Sequence, residues 1–230
     1  MTMENEAFVS YRDYPRQHRT LERILQKLSG QDLPGAPYVE QYLRHMHRRD
    51  LTANTLRAAF TSVQGFLRFL KNQGKTDLPS LVHNDLEAFV ESEQDRGLKP
   101  VSVKNGLRQV QTFLRYLIEG KVVPSEVLER RIGIKLPDAL PRAMDPRDVR
   151  RLLAVVEKIR DRAMILVLLR TGMRIGELLQ LQVTDVHLAE RKILLYIGEK
   201  NRTGRVVYLS LDACQALKEW MQKNHGPGRL

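Results

Sequence analysis

Cysteine is nearly missing: Cys214 is the only one in 230 residues. A single thiol has no partner within the chain, so an intramolecular disulfide and a cysteine-based zinc set are both excluded. Cys214 sits among helix formers and is expected as a small buried or half-buried side chain. Long apolar runs are missing too. No stretch reaches the 18 or so residues that read as a membrane-crossing helix. The start, Met1-Thr2-Met3-Glu4-Asn5-Glu6, lacks the charged-then-apolar layout of a signal peptide, so the expected location is cytoplasmic, with no membrane partner. Acidic charge is in deficit: Asp+Glu 27 against Lys+Arg 38 leave a formal net charge of +11. Such an excess suits a polyanion such as DNA or RNA, with a membrane surface as the competing partner. The hydrophobic 42% can supply real cores, and the length fits two ordinary domains better than one.

Residues 1–18 mix charges, aromatics and Pro15 without a period and read as a tail. From 19 to about 128 the apolar spacing is helical throughout. Leu21, Ile24, Leu25 and Leu28 form one stripe, and Tyr38, Val39, Tyr42, Leu43 and Met46 a second. Thr52 or Asn54 caps a long helix burying Leu56, Phe60, Val63, Phe66, Leu67 and Leu70. Asn84 or Asp85 caps a shorter one carrying Leu86, Phe89 and Val90. Pro100 and Ser102 open a fourth, burying Val103, Leu107, Val110, Phe113, Leu114 and Leu117. Phe66-Leu67-Arg68-Phe69-Leu70 and Phe113-Leu114-Arg115-Tyr116-Leu117 nearly repeat, which suggests two like helical hairpins around one core. Arg57, Arg68 and Lys71 on one long helix and Lys104, Arg108 and Arg115 on the other fall outside the apolar stripes. They are candidate contacts to DNA phosphates, which set affinity and register rather than sequence choice.

Residues 129–144, with prolines at 137 and 141 and several basic side chains, read as an extended linker. A second domain, 145–230, opens at Asp145-Pro146, where Asp145 suits the N-cap and Pro146 the first helical position. The segment Asp161 to Arg170 is nearly all apolar and is expected to be buried on most sides. Lys192–Ile197 and Arg205–Leu209 read as a β-hairpin around the polar loop Gly198-Glu199-Lys200-Asn201-Arg202-Thr203-Gly204, and a last helix runs from about Ala213 to Lys223. Tyr196 and Tyr208 flank that loop and read as packing residues. The fold class is thus mostly α with a small antiparallel sheet.

The chemistry is expected around Leu168-Leu169-Arg170-Thr171-Gly172-Met173-Arg174-Ile175-Gly176-Glu177-Leu178. Gly172 suits the left-handed cap of one helix, and a second helix would start with Arg174 in its first turn and Leu178, Leu179 and Leu181 behind it. Acids are usually preferred there, so an arginine makes local sense if an anion docks against it. Its guanidinium can grip two phosphate oxygens at once, a geometry lysine cannot copy. Glu177 can orient the arginine, and Lys200 on the hairpin can donate a proton to a leaving oxygen. Singly, Arg174 and Lys200 also read as solvated side chains, and Glu177 as an ordinary first-turn acid that offsets the dipole.

Those segments, together with Leu181-Gln182-Val183-Thr184-Asp185-Val186 and Ile197 through Ser210, resemble the first half of a tyrosine recombinase (phage integrase family) catalytic domain. The region from Arg19 to about Leu128 is similar to that family's SAM-like core-binding domain. The resemblance implies Arg174 as the first catalytic arginine, Lys200 as the hairpin lysine, Glu177 as the supporting acid, and Arg202 as a further DNA contact. It also implies double-stranded DNA as partner, a homo-oligomer on DNA (a tetrameric synapse in complete relatives), and a 3′-phosphotyrosine route needing no metal and no cofactor. That route continues with a His-x-x-Arg motif, a later His or Trp and a nucleophilic tyrosine, which these 230 residues do not show after Arg174. His45-Met46-His47-Arg48 has the spacing but precedes Arg174, in the helical domain. The expectation is therefore a truncated chain that binds DNA and does not cleave it alone. The alternative is a non-catalytic DNA-binding regulator that occupies sites or inhibits an intact recombinase; a helical RNA-binding protein is the outsider.

Overall fold

Apolar side chains recurring every three to four residues must bury one stripe each, and the chain satisfies this with two separate cores. The computed structural model describes residues 14–137, 143–196 and 204–223. It divides into two units, Met1–Ala139 and Leu140–Leu230. The architecture is mostly helical with one small three-stranded antiparallel sheet.

The first unit holds α1 (Tyr14–Ser29), α2 (Ala36–Arg48), α3 (Ala53–Asn72), α4 (His83–Asp95) and α5 (Pro100–Glu119), followed by a 3-10 turn over Ser125–Leu128. The long helices α3 and α5 pack together, and Phe66 and Phe113 of the near-repeated motifs are both fully buried. Burying each such ring contributes roughly 1.5–3 kcal/mol. Helix α1 begins inside the stretch expected to be a tail, because Gln17, one turn before Leu21, is itself buried and carries the stripe upstream. Thr52 caps α3, its hydroxyl accepting the Thr55 N–H at 3.3 Å. Asp85 is not the cap of α4. Val82 holds that position, and Asp85 in the first turn accepts the Val82 N–H at 2.9 Å.

The second unit comprises α6 (Pro146–Val155), α7 (Ile159–Thr171), the single turn α8 (Ile175–Leu178), β1 (Val186–His187), β2 (Lys192–Leu195), β3 (Arg205–Tyr208) and α9 (Leu211–Lys223). Asp145 caps α6 through its carboxylate and the Arg147 N–H, 2.7 Å apart. The sheet order is β1-β2-β3, with Val186 opposite Ile193 and Leu195 opposite Arg205. Period-two alternation puts Ile193 and Leu195 in the core and leaves Tyr196, Val206 and Tyr208 exposed, so the two tyrosines are not the packing residues their strand positions suggested. Helix α7 packs on α9 through Ala163, Leu166 and Val167. These three are its only buried residues, and Leu169 is 40% exposed. Helix α7 is thus buried along one side, against α8 and α9, where its composition suggested burial on most sides. Cys214 is half-buried, as its setting implied. Among the described residues, no helix is long and apolar enough to cross a membrane.

Candidate active site and nucleic-acid interface

Helix α7 ends in a left-handed residue, Gly172 (φ 63, ψ 17), whose N–H donates to the Leu168 carbonyl at 3.0 Å. The Thr171 hydroxyl donates to the Val167 carbonyl and accepts the Met173 N–H. Buried Met173 then anchors the turn in the core. These contacts deliver Arg174 in extended conformation to the N-cap of α8. Helix α8 is one turn long rather than the extended helix that the leucines suggested. Leu178 and Leu181 reach the core, Leu179 stays 52% exposed, and the Gln182 N–H is taken by the Asp185 carboxylate, which starts a new 3-10 turn. So short a helix carries little macrodipole, and the positive character of the site comes from side chains.

Glu177 is the centre of that site. Its Oε2 accepts the Arg174 backbone N–H at 2.7 Å, and its Oε1 accepts Arg174 Nη1 at 3.2 Å. From β3, Arg205 donates Nη1 to Oε1 at 2.9 Å and Nη2 to Oε2 at 2.8 Å, a two-point pair. The carboxylate is only 15% exposed, against 34% for Arg205 and 55% for Arg174. The Arg205 hydrogen bond, more than any other contact, holds its pKa below the usual glutamate value, with Arg174 adding to the effect. A second two-point contact braces the same turn from behind: Arg170 donates Nε and Nη2 to Asp212 Oδ2 at 3.0 and 2.7 Å, tying the end of α7 to the start of α9.

The spacing of Glu177 from Arg174 made their pairing legible. Arg205 was missed, although the alternation that turns Val207 and Leu195 inward also turns Arg205 inward. Lys200 and Arg202 lie outside the described residues. The described chain stops at Tyr196, one residue past β2, and resumes at Gly204, next to Arg205. A Cβ at Gly204 would lie 3.1 Å from the Leu195 carbonyl oxygen, so the two strands approach closely there. A small apolar hollow of about 20 Å³ between α7, α8 and α9 is lined by Val167, Leu178, Leu217 and Trp220 and by none of the site residues. It has room for about one water.

In the first unit, α3, α4 and α5 line an open groove of about 960 Å³. Arg57 and Arg68 border it, along with Thr61, Gln64, Asn105 and Gln109. The structure separates the six candidate cations into groups. Arg57 is braced by Asn54 and Thr20, and Arg68 by Gln31, which also accepts from Gln64. Lys71 is ion-paired with Asp32 at 2.8 Å and does not line the groove. Lys104, Arg108 and Arg115 form an exposed stripe roughly a third of a turn around α5 from its groove-lining residues. They make no side-chain hydrogen bond or ion pair among the described residues. The amide side chains in the groove were not singled out from sequence, where uncharged polar residues on an exposed helix face carry no distinguishing signal.

Comparison with known proteins adds the following. Residues 142–229 match the family described as "Phage integrase family", and residues 39–121 match "Phage integrase, N-terminal SAM-like domain". The tyrosine recombinase XerC of Roseiflexus castenholzii is 34% identical over 189 residues, which cover 79% of this chain and 60% of that protein. The tyrosine recombinase XerD of Proteus mirabilis is 30% identical over 190 residues, covering 80% and 60%. The chain thus spans about 60% of the length of these relatives. Among solved structures, a Tn1549 transposon integrase in complex with a circular intermediate DNA is similar, with a TM-score of 0.66 and 18% identity, covering 86% of this chain and 68% of the other. A lambda integrase tetramer bound to a Holliday junction gives a TM-score of 0.63 at 18% identity, covering 94% and 61%. At such identities the structural likeness concerns the fold alone.

Proposed function

Because the chain belongs to the tyrosine recombinase (phage integrase) family, we propose that it binds duplex DNA and holds a target phosphate against Arg174, as the DNA-engaging part of a recombinase site. The observation that carries this reading is the Glu177 carboxylate gripped by Arg174 and Arg205, beside the base of the hairpin that bears Lys200. In this mechanism Arg174 takes two non-bridging oxygens and neutralises charge developing at phosphorus. Glu177 fixes the arginine's approach through its backbone and its side chain. Lys200 protonates the departing oxygen. Strand cleavage through a 3′-phosphotyrosine further requires a His-x-x-Arg pair and a nucleophile, and without a nucleophile there is no covalent intermediate. The 230 residues by themselves are therefore expected to bind without cleaving.

The first unit supplies affinity. Arg57, Arg68 and the stripe Lys104, Arg108 and Arg115 contact phosphates, while Gln64, Asn105 and Gln109 in the groove face base edges, where amides can pair two-point with adenine. Arg202 adds a contact from the hairpin. The chain divides into a helical DNA-binding domain (19–128), with α1 starting just upstream of it, a linker (129–144) and a partial catalytic domain (145–230), and it acts in the cytoplasm as a homo-oligomer on DNA.

The test is binding of the purified chain to duplex DNA across a salt series, with duplex RNA as competitor and a nicked suicide substrate for covalent capture. The expected result is preferential duplex DNA binding that weakens with salt, with a log–log slope of roughly 0.9 per phosphate neutralised, and no covalent adduct. Salt-insensitive binding or a preference for RNA overturns the DNA reading, and an adduct overturns the non-cleaving one.

A further inference from the structure

We propose that Gln31, in the connection between α1 and α2, is a positioning residue that fixes the Gln64 amide as an adenine reader and holds Arg68 without taking its charge. The inference rests on the proposed reading of the groove along α3, α4 and α5 as a surface that meets duplex DNA. Gln64 and Arg68, one turn apart on α3, both line that groove, whereas Gln31 is not among its lining residues. The backbone of Gln31 is pinned on both sides. Its N–H donates to the Leu28 carbonyl at 3.0 Å and its carbonyl accepts the Leu33 N–H at 3.1 Å, with Leu28 and Leu33 both in the core. The side chain is therefore delivered to one place. There Oε1 accepts Gln64 Nε2 at 2.7 Å and Arg68 Nη2 at 3.1 Å, while Nε2 donates to the Lys27 carbonyl at 2.9 Å.

The chemistry of these partners allows one arrangement. A guanidinium carries donors and no acceptor, so the Gln31 atom facing Arg68 must be the oxygen. The Lys27 carbonyl, an acceptor, requires the amide nitrogen on the other side, which agrees. Gln64 must then turn its NH₂ toward Gln31, because a flipped amide would set two carbonyl oxygens against each other. The Gln64 carbonyl oxygen and one N–H remain for a ligand, and the side chain makes no other hydrogen bond among the described residues. Adenine offers the matching pair in the major groove, an N6 donor beside the N7 acceptor. Guanine offers two acceptors, which suit only an amide free to turn its NH₂ outward. Charge follows the same logic. Gln31 is neutral, so Arg68 keeps its positive charge and most of its donors for phosphate. The next residue gives the contrast: Asp32 ion-pairs with Lys71, one turn further along α3, at 2.8 Å.

The experiment selects bound duplexes from a randomised-sequence pool with the full chain and with Gln64→Ala, Gln31→Met and Gln31→Glu. Sequencing reads the base preferences, and the log–log salt slope of each protein is measured on one fixed duplex. The parent is expected to favour adenine at one position by roughly tenfold over guanine, and Gln64→Ala to erase that preference. Gln31→Met brings guanine level with adenine there and leaves the slope unchanged, because the amide is released while the Arg68 charge stays. Gln31→Glu does the reverse. Its oxygens still accept from Gln64 and keep the adenine preference, while its carboxylate neutralises Arg68 and lowers the slope by roughly 0.9, one phosphate's worth. A merely structural role would move both readouts together or neither. Parent binding without salt dependence, or a Gln64→Ala chain that retains every base preference, overturns the groove as the DNA-reading surface. With those two results as expected, a Gln31→Met chain that still discriminates against guanine, or a Gln31→Glu chain with the parent slope, overturns the role of Gln31.

Discussion

Gly172→Ala isolates the backbone feature on which the Arg174 turn depends. Gly172 sits at φ 63, and a Cβ built there meets nothing within 4 Å, so the substitution introduces left-handed strain without a clash. That strain costs an alanine roughly 1–2 kcal/mol. Asparagine, which tolerates the left-handed region, costs less, and valine, branched at Cβ, costs more. For a unit the size of Leu140–Leu230 the alanine cost corresponds to a fall in Tm of about 4–16 °C. The chain's single tryptophan, Trp220, lies on α9 in the same unit and packs against its core, so its fluorescence reports the transition directly. The expected order of stability is Gly, Asn, Ala, Val, with duplex affinity falling in step as Arg174 loses its fixed position. Equal stability of Gly and Ala, or an asparagine as costly as alanine, would refute the reasoning that the left-handed cap sets this turn.

Asp212→Asn tests the brace behind the turn. Arg170 holds the Asp212 carboxyl down at about 2, from an ordinary 3.8; a depressed carboxyl stabilises the fold above its unfolded value, and that contribution disappears as pH falls from about 4 to about 2. Both partners are near half exposed, 52% and 43%, so solvent screening reduces the contribution to about 1 kcal/mol; the variant should trail the parent by that amount in denaturant titrations at pH 7 and match it at pH 2. Tyr42→Phe should leave the first unit as stable or raise its stability by about 1 kcal/mol, because the Tyr42 hydroxyl is buried without a partner among the described residues; burial also pushes that hydroxyl's pKa up to about 12, and a clear loss in thermal unfolding would contradict this. Phe113→Ala should cost the first unit about 3–5 kcal/mol, since its ring is fully buried against Tyr42; circular dichroism melting checks it.

Local rules carried the sequence reading a long way. Apolar periodicity located the helices, Thr52 and Asp145 marked their starts, and the tight spacing of Gly172, Arg174 and Glu177 marked the turn, because caps and i,i+3 pairs are determined by neighbours within a few residues. What escaped was set by the fold. The partner of Glu177 on β3 lies far along the chain, and no spacing rule links the two. The one-sided burial of α7 depends on which elements surround it, and its composition alone suggested burial on most sides. The two-residue strand β1 is too short to show alternation. Helical phase could separate the cations of α5 from its apolar stripe, but only packing shows that Arg57 and Arg68 border a groove which the stripe of Lys104, Arg108 and Arg115 does not line.

The claim that Arg174 grips a DNA phosphate is tested most directly by scanning a bound duplex with single uncharged methylphosphonate linkages, using the parent chain and Arg174→Gln in parallel. One position is expected where neutralising the phosphate weakens parent binding by about 1.5–3 kcal/mol, the worth of a hydrogen bond to a charged group, and leaves Arg174→Gln nearly unaffected. Losses that add independently at every position along the duplex would contradict it.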